Sequence, residues 1–302
     1  VKDALRRAGL SLALALLRLL GRLPLRWYQA LGALLGHLAY HLSGRYSRRM
    51  WSNLRASGLC KDEDDYRRVL RANIAETGKQ GIEFLALWFR PQAQAATLVR
   101  SCAGEQEVLD AYRAGRGVIL LTPHLGCFEV SAIYAAQRFP ITVLYRRPRI
   151  AWLEALIVAG RGRGNEKLAP ANVRGVRALL KALKSGEVVG VLPDQAPREG
   201  EGVWVDFFGR PAYTMTLIGR LWEATRPAVF VAVALRRPRG EGYDIEVRRV
   251  EGDLSGEAGA RRINAAVEEA IRRCPEQYLW SYSRHKRPPG APPPPAARPH
   301  SA

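Results

Sequence analysis

Acidic residues are scarce in this 302-residue chain: 28 Asp and Glu stand against 47 Lys and Arg, leaving a formal charge of +19. An excess of that size implies a polyanionic partner or surface, with nucleic acid and an anionic membrane as the two candidates. Cysteine is scarce as well. The four present, Cys60, Cys102, Cys127 and Cys274, form no CxxC pair and no disulfide-like spacing. That pattern argues against a metal ribbon or a stapled secreted domain and fits a reducing, cytoplasmic environment. A long run that is both apolar and unbroken is also missing. The leucine-rich stretch 8–20 (AGLSLALALLRLL) is interrupted by Arg18, and the stretch 27–43 (WYQALGALLGHLAYHLS) carries His37 and His41, so a conventional transmembrane helix is not evident. A signal peptide fits poorly, since no small-residue cleavage site leads into a disulfide-rich chain.

What is there is enough for a substantial core, at 47% hydrophobic residues. On a helix of about 3.6 residues per turn, Arg7, Arg18 and Arg22 fall in one narrow stripe and leucines cover the rest, as in a helix lying in a membrane interface. Pro24 separates the two greasy runs, and the basic stretch GRYSRRMWSNLRASG follows, placing cations where anionic head groups would be met. A solvated helix face is the plainer account of those cations. Residues 62–90 read as a helix capped by Asp62 and closed before Pro91. The period then changes. Short apolar runs at 118–122 (VILLT), 141–145 (ITVLY), 188–192 (VVGVL) and 229–235 (VFVAVAL) surround a helical pattern at 173–184, and a last amphipathic helix spans 260–273. Runs apolar on both faces and alternating with helices predict an α/β fold, a central mostly parallel or mixed sheet flanked by helices, with membrane-interface helices at the N-terminus. Residues 243–250 (YDIEVRRV) alternate instead, as an edge strand would. The expected organisation is a membrane-associating helical segment over 1–45, a catalytic domain over 46–287 and a disordered Pro/Ala-rich tail over 288–302.

The chemistry concentrates in Thr122–Glu129, TPHLGCFE, directly after the strongest buried strand. Functional residues of open α/β sheets gather where strands end. His124 is placed there, and Glu129 falls where the next helix begins, from which its carboxylate could turn back to fix the imidazole tautomer. The pair would then be fit to deprotonate a hydroxyl. Histidine near a strand end is often structural, and Cys127 leaves a rival mechanism open, with its thiol as nucleophile and His124 as base. Packing as a small hydrophobe is the plainer role for that cysteine.

The H-x4-[DE] motif resembles that of the glycerolipid acyltransferase superfamily, and further landmarks resemble its lipid A lauroyl/myristoyl (late) acyltransferase branch. In order they are Asn73 and Glu83 in RANIAETGKQGIEFL; His124 and Glu129; LYRRPR (144–149); GRGRGN (160–165); VRALLKALKSGEVVGVLPDQ (176–195); VDFFGRPA (205–212); and PEQYLW (275–280) followed by Arg284, Lys286, Arg287 and Pro288. The similarity covers most of residues 10–288. It implies an enzyme of the inner membrane's cytoplasmic face that draws acyl chains from acyl carrier protein thioesters, needs no cofactor or metal, and acts on an anionic lipid acceptor. His124 and Glu129 would be catalytic. Arg161 and Arg163 of GRGRGN and Asp194 of LPDQ would bind substrate, Arg161 by holding phosphate or polarising the thioester carbonyl. Two departures concern the acceptor side: Ala196 stands where the family often has a second acid, and Ser281, Tyr282 and Ser283 stand where it usually carries paired basic residues.

Other readings compete. An acyltransferase could use another acceptor, such as an ornithine lipid, a glycolipid or a polyene conjugate. Nucleic-acid binding would explain the charge, but not the leucine-rich start, and no nucleic-acid motif is present. A metal-dependent hydrolase could recruit His124, Glu129 and Asp194, or the His37/His41 pair, although no third ligand lies near that pair.

Overall fold

The structure is a computed structural model that describes residues 21–145, 154, 157, 158, 160–162 and 164–295. The leucine-rich run 8–20 with Arg7 and Arg18, most of LYRRPR, Arg163 and the last seven residues of the tail lie outside the described residues.

Among the described residues a seven-stranded sheet carries the fold. At its centre β2 (Val118–Leu121) pairs in parallel with β5 (Val188–Val191) on one side and β8 (Ala228–Arg236) on the other. Val118, Ile119, Leu121, Val188, Val189 and Val191 are all fully buried. Helices on both faces make that possible, and β-branched residues suit a pleated surface covered on both sides. Beyond β5 lie β3 (Ile141–Tyr145) and β4 (Glu166–Pro170), again parallel. The sheet turns mixed at β9 (Tyr243–Arg249), which is antiparallel to β8 and parallel to β1 (Val99–Ala103).

The expectation that residues 243–250 form an edge strand is corrected by β1, which covers that edge. The alternation has a different cause. Tyr243, Ile245 and Val247 join the hydrophobic core on one face, while Glu246 and Arg248 on the other pair with Arg273 and Glu269 of helix α9 (Gly256–Arg273). A charged face met by a charged helix reads in sequence like a face met by water.

Helix α3 (Glu63–Trp88) begins as expected, with the Asp62 carboxylate accepting from the Asp65 amide at 2.8 Å and three acids in the first turn, which favour the positive end of the helix dipole. Against it lies α1 (Leu25–Leu42), and three glycines set the contact. A Cβ at Gly32 would come within 2.6 Å of the Lys79 Cα, and side chains at Gly36 and Gly78 would strike the facing backbone. The spacing Gly32-x3-Gly36 thus lets two helices meet backbone to backbone. Arg90 adds hydrogen bonds to the carbonyls of Gly21 at 2.9 Å and Leu23 at 2.6 Å. Residues 25–42 are therefore welded to the helices of the expected 46–287 unit. Their outward face stays bare, with Trp27, Leu31, Leu34, Leu38 and Leu42 exposed, the last at 76%.

At the other end the expectation of a disordered tail from residue 288 does not hold for residues 288–295. Ala291 is fully buried, and the Trp204 indole donates to the Pro292 carbonyl at 2.9 Å. The segment lies against the hairpin of β6 (Gly202–Phe207) and β7 (Arg210–Met215). Proline's fixed φ lowers the entropy lost in holding such a strap in place.

Candidate active site

Parallel pairing builds the site. Leu121 of β2 stands opposite Val191 of β5, and three residues beyond each come His124 and Asp194, side by side at the strands' carboxyl ends. The buried Asp194 carboxylate accepts from the His124 backbone amide at 2.8 Å through Oδ2, and its Oδ1 lies 2.8 Å from His124 Nδ1. Only 3% of Asp194 is exposed. Burial pushes its carboxyl up, but the charge of His124, its ring and backbone hydrogen bonds and the nearby Arg284 outweigh that and hold it below the usual carboxylate range. An ionised acceptor at Nδ1 fixes the proton there and leaves Nε2 as the imidazole's acceptor. Nε2 is met by the Gln195 amide nitrogen at 3.1 Å.

Glu129 is elsewhere. It sits in the first turn of α6 (Phe128–Ala136), buried, with Oε2 accepting from the Trp88 indole at 3.0 Å and from Arg161 Nε at 2.8 Å. The other oxygen takes the Arg161 Nη2, completing a two-pronged ion pair, and the guanidinium lies over the Trp88 ring. The orienting contact to the imidazole that the sequence led us to expect of Glu129 is thus made by Asp194, while Glu129 and Arg161, also expected as site residues, are brought together as a pair of their own. Burial lowers the Arg161 pKa, with Glu166 acting against it. Arg163 lies outside the described residues.

The loop between His124 and helix α6 is clamped from several sides. Gly126 has φ +62°, and a Cβ there would strike the Ala234 carbonyl. A left-handed turn this close to a neighbouring strand admits only glycine. The Gly126 carbonyl accepts from Gln80 at 3.1 Å and from Arg236 Nη2 at 2.9 Å. Arg236 is held in turn by Glu83, whose carboxylate also accepts from the Tyr243 hydroxyl. The segment PEQYLW forms the opposite jaw. Gly126 donates its amide to the Gln277 carbonyl at 3.1 Å, and Leu279 donates to the His124 carbonyl at 3.0 Å. Asn73 pins that jaw to α3 through the Glu276 and Tyr278 carbonyls. Landmarks far apart in sequence, Asn73, Glu83 and PEQYLW, therefore serve one purpose: they fix the backbone that presents His124.

Cys127 is fully enclosed. Its amide donates to the Ala234 carbonyl at 2.8 Å, and burial, with Glu83 adding to it, raises the thiol pKa well above the ordinary value. A thiolate is disfavoured there. The two departures noted on the acceptor side meet each other: the Ala196 amide donates to the Tyr282 hydroxyl at 3.0 Å. Arg284, just beyond, turns inward to the Tyr213 carbonyl and the Thr214 hydroxyl, both at 2.7 Å. Among the described residues no three His, Cys, Asp or Glu side chains gather as a metal-binding group, and no helix is long and apolar enough to cross a membrane.

The family model described as bacterial lipid A biosynthesis acyltransferase matches residues 2–287. This chain belongs to that family. A lipid A biosynthesis lauroyltransferase of Escherichia coli (strain K12) is 29% identical over 93% of this chain and 92% of its own length. From the same organism, a lipid A biosynthesis myristoyltransferase is 26% identical over 85% of this chain and 80% of its own, and a palmitoleoyltransferase 25% identical over 85% and 84%. The family resemblance carried by the motifs is thereby confirmed, and the chain is placed among acyltransferases. Gln195, Trp88, Gln80 and Arg236 were not singled out in the sequence as site residues. Gln195 had a signal available, since it directly follows an aspartate ending a buried strand beside the one that leads to His124.

Proposed function

We propose that this protein transfers a fatty acyl chain from an acyl carrier protein thioester to a hydroxyl of a lipid A precursor, at the cytoplasmic face of the inner membrane. The observation that carries the reading is the Asp194–His124 pair, which leaves Nε2 as the proton-accepting atom at a strand end of an acyltransferase fold. In this mechanism His124 Nε2 removes the acceptor's hydroxyl proton as the oxygen attacks the thioester carbon. Asp194 stabilises the imidazolium that forms. The tetrahedral intermediate collapses, the C–S bond breaks, and the departing sulfur takes the proton back from His124. Glu129 acts through Arg161, holding a cation at the site where a phosphate is bound. No acyl-enzyme forms.

Membrane attachment rests on the bare face of α1 and the cations of α2 (Gly44–Ala56) that follow it. Burying a large apolar side chain is worth about 1.5–3 kcal/mol, so several leucines and Trp27 give an interfacial helix a useful hold even when each is only partly buried. Asn53 of α2 donates to the Trp280 and Tyr282 carbonyls at 2.8 and 2.9 Å, so the basic helix adjoins the jaw beside the site. That adjacency suits an acceptor whose phosphates lie in the head-group layer. The departures at Ala196 and at Ser281, Tyr282 and Ser283 motivate a second reading of the acceptor, in which another hydroxyl-bearing lipid replaces lipid A.

The test is His124→Ala in the full-length protein, assayed with lauroyl-acyl carrier protein and an under-acylated lipid A precursor. A general base contributes about 10²–10⁴-fold, and a loss of that order with unchanged thermal unfolding is expected. Wild-type turnover by that variant would sink the mechanism. Lipid mass spectra of a deletion strain name the acceptor, since the missing acyl chain reports it.

A further inference from the structure

Several of the backbone amides around His124 that could receive a developing oxyanion are already spent. His124 gives its amide to Asp194, Leu125 to the Pro123 carbonyl at 2.7 Å, Gly126 to the Gln277 carbonyl and Cys127 to the Ala234 carbonyl. On the facing loop the Ala196 amide is given to Tyr282. Arg161 commits Nε and Nη2 to Glu129. Acyl transfer builds negative charge on the thioester oxygen, and a donor aimed at it is commonly the largest single term in such catalysis. Among the described residues, the side-chain donor that stands against the base is the Gln195 amide, 3.1 Å from His124 Nε2.

We infer that Gln195 is a catalytic residue that caps the base in the free enzyme and supplies the oxyanion donor once substrate has entered. The inference rests on the general-base reading of His124. Nε2 has one lone pair, and an entering hydroxyl needs it for its proton. The hydroxyl therefore displaces the Gln195 amide from Nε2, and the amide stays within one side-chain rotation of that atom. Base and hydroxyl oxygen stand about 2.6–3.2 Å apart at proton transfer, and the attacked carbonyl carbon is bonded to that same oxygen in the intermediate. The displaced amide thus has the oxyanion as its nearest new acceptor. As the O–C bond forms, the carbonyl π pair moves onto oxygen, which accepts from Gln195 Nε2. On collapse that pair re-forms the carbonyl, the C–S bond breaks, and the sulfur leaves with the proton from His124. Phe128, whose ring lies 4.9 Å from the imidazole centroid to centroid, limits water on that side and strengthens a hydrogen bond made there. A cap also keeps the base from activating water against a bound thioester before the acceptor arrives.

The experiment compares Gln195→Ala and Gln195→Glu with the wild type and with His124→Ala, as full-length protein with lauroyl-acyl carrier protein and an under-acylated lipid A precursor. Removing one oxyanion donor costs about 10²–10³ in kcat. Gln195→Ala should show that loss with an unchanged or lower KM for the acceptor, because the competitor for Nε2 is gone as well. In Gln195→Glu a carboxylate faces Nε2 and favours the protonated ring, so the acid limb of the kcat/KM profile should move to higher pH, a change that a merely structural role would not produce. Thermal unfolding separates misfolding from either effect. Wild-type or faster kcat in Gln195→Ala, with His124→Ala inactive, overturns the Gln195 inference and leaves the base standing. Activity in His124→Ala overturns both.

Discussion

Replacing Asp194 with asparagine is the sharpest probe of how the His124 ring is held for its proposed role as base. The change keeps the shape and removes the charge. In the native site one carboxylate accepts from both the His124 amide and Nδ1, each at 2.8 Å. Asparagine has one carbonyl oxygen and one NH2 group for the same two donors. If its oxygen takes the backbone amide, its NH2 faces Nδ1 and forces the ring proton to Nε2, where the Gln195 NH2 already stands. Two donors would then meet and the lone pair needed for catalysis would be lost. If its oxygen takes Nδ1, the tautomer survives but the imidazolium formed in the reaction has no counter-charge. The comparable loss in a Ser-His-Asp triad is about 10⁴-fold, or about 5.4 kcal/mol at 1.36 kcal/mol per tenfold. We expect kcat to fall by about 10³–10⁴ in the carrier-thioester assay with little change in acceptor KM. A second readout is stability against pH. The folded Asp194 carboxyl is held below its unfolded value, so its contribution is present above about pH 4 and is lost as pH falls through the lower folded pKa. In the Asp194→Asn variant that part of the acid-side decline in Tm should be missing. Wild-type kcat in Asp194→Asn, while His124→Ala is inactive, would refute the orienting role.

Further outcomes follow from burial. Cys127→Ala should keep most activity and cost about 1–2 kcal/mol of stability, measured by denaturant unfolding, and the wild-type protein with donor alone should show no acyl mass increase. An adduct on Cys127 together with an inactive Ala variant would replace direct transfer with a covalent mechanism. On α1, the combined change Leu34→Glu, Leu38→Glu and Leu42→Glu should release the protein from anionic vesicles in a flotation assay while leaving thermal unfolding within a few degrees, since all three face outward. Retained flotation would move the membrane contact away from α1.

The strands that could be read from sequence are those whose chemistry is uniform along them. β2, β5 and β8 are apolar on both faces and β3 nearly so, and α7 (Val173–Lys184) is sorted cleanly into buried Leu179, Ala182 and Leu183 and exposed Arg174, Arg177, Lys181 and Lys184. The two sheet edges were not legible. In β1 Arg100 and Ser101 interrupt the pattern, and β4 reads Glu-Lys-Leu-Ala-Pro, so both owe their conformation to the strands they pair with rather than to intrinsic preference. The β6–β7 hairpin was hidden for another reason. Its two-residue turn is Phe208-Gly209, with φ +49° and +67°, a turn with both central residues left-handed, in which Asn or Asp usually stands first. Phe208 is held there by burial against Trp280, and the Glu268 carboxylate accepts from its amide at 2.8 Å.

The same contrast between local and tertiary information explains the two acids of the site. Glu129 is close to His124 along the chain, which is why it looked like the imidazole's partner. Yet Gly126 turns the backbone between them, and α6 starts only at Phe128. Glu129 is therefore carried on the first helical turn to Trp88 and Arg161. Asp194 is seventy positions away, but parallel pairing of β2 with β5 places it three residues past the partner of the strand that leads to His124. In a parallel sheet the loops after adjacent strands open at one edge, so an acid closing the neighbouring strand is a better candidate orienter than an acid in the following helix. The division is also electrostatically sound. One carboxylate shared between an imidazolium and a half-buried guanidinium would be drawn to the permanent charge of the arginine. With separate acids, Arg161 is neutralised by Glu129, and in the proposed mechanism Asp194 is left to answer the charge that forms on His124.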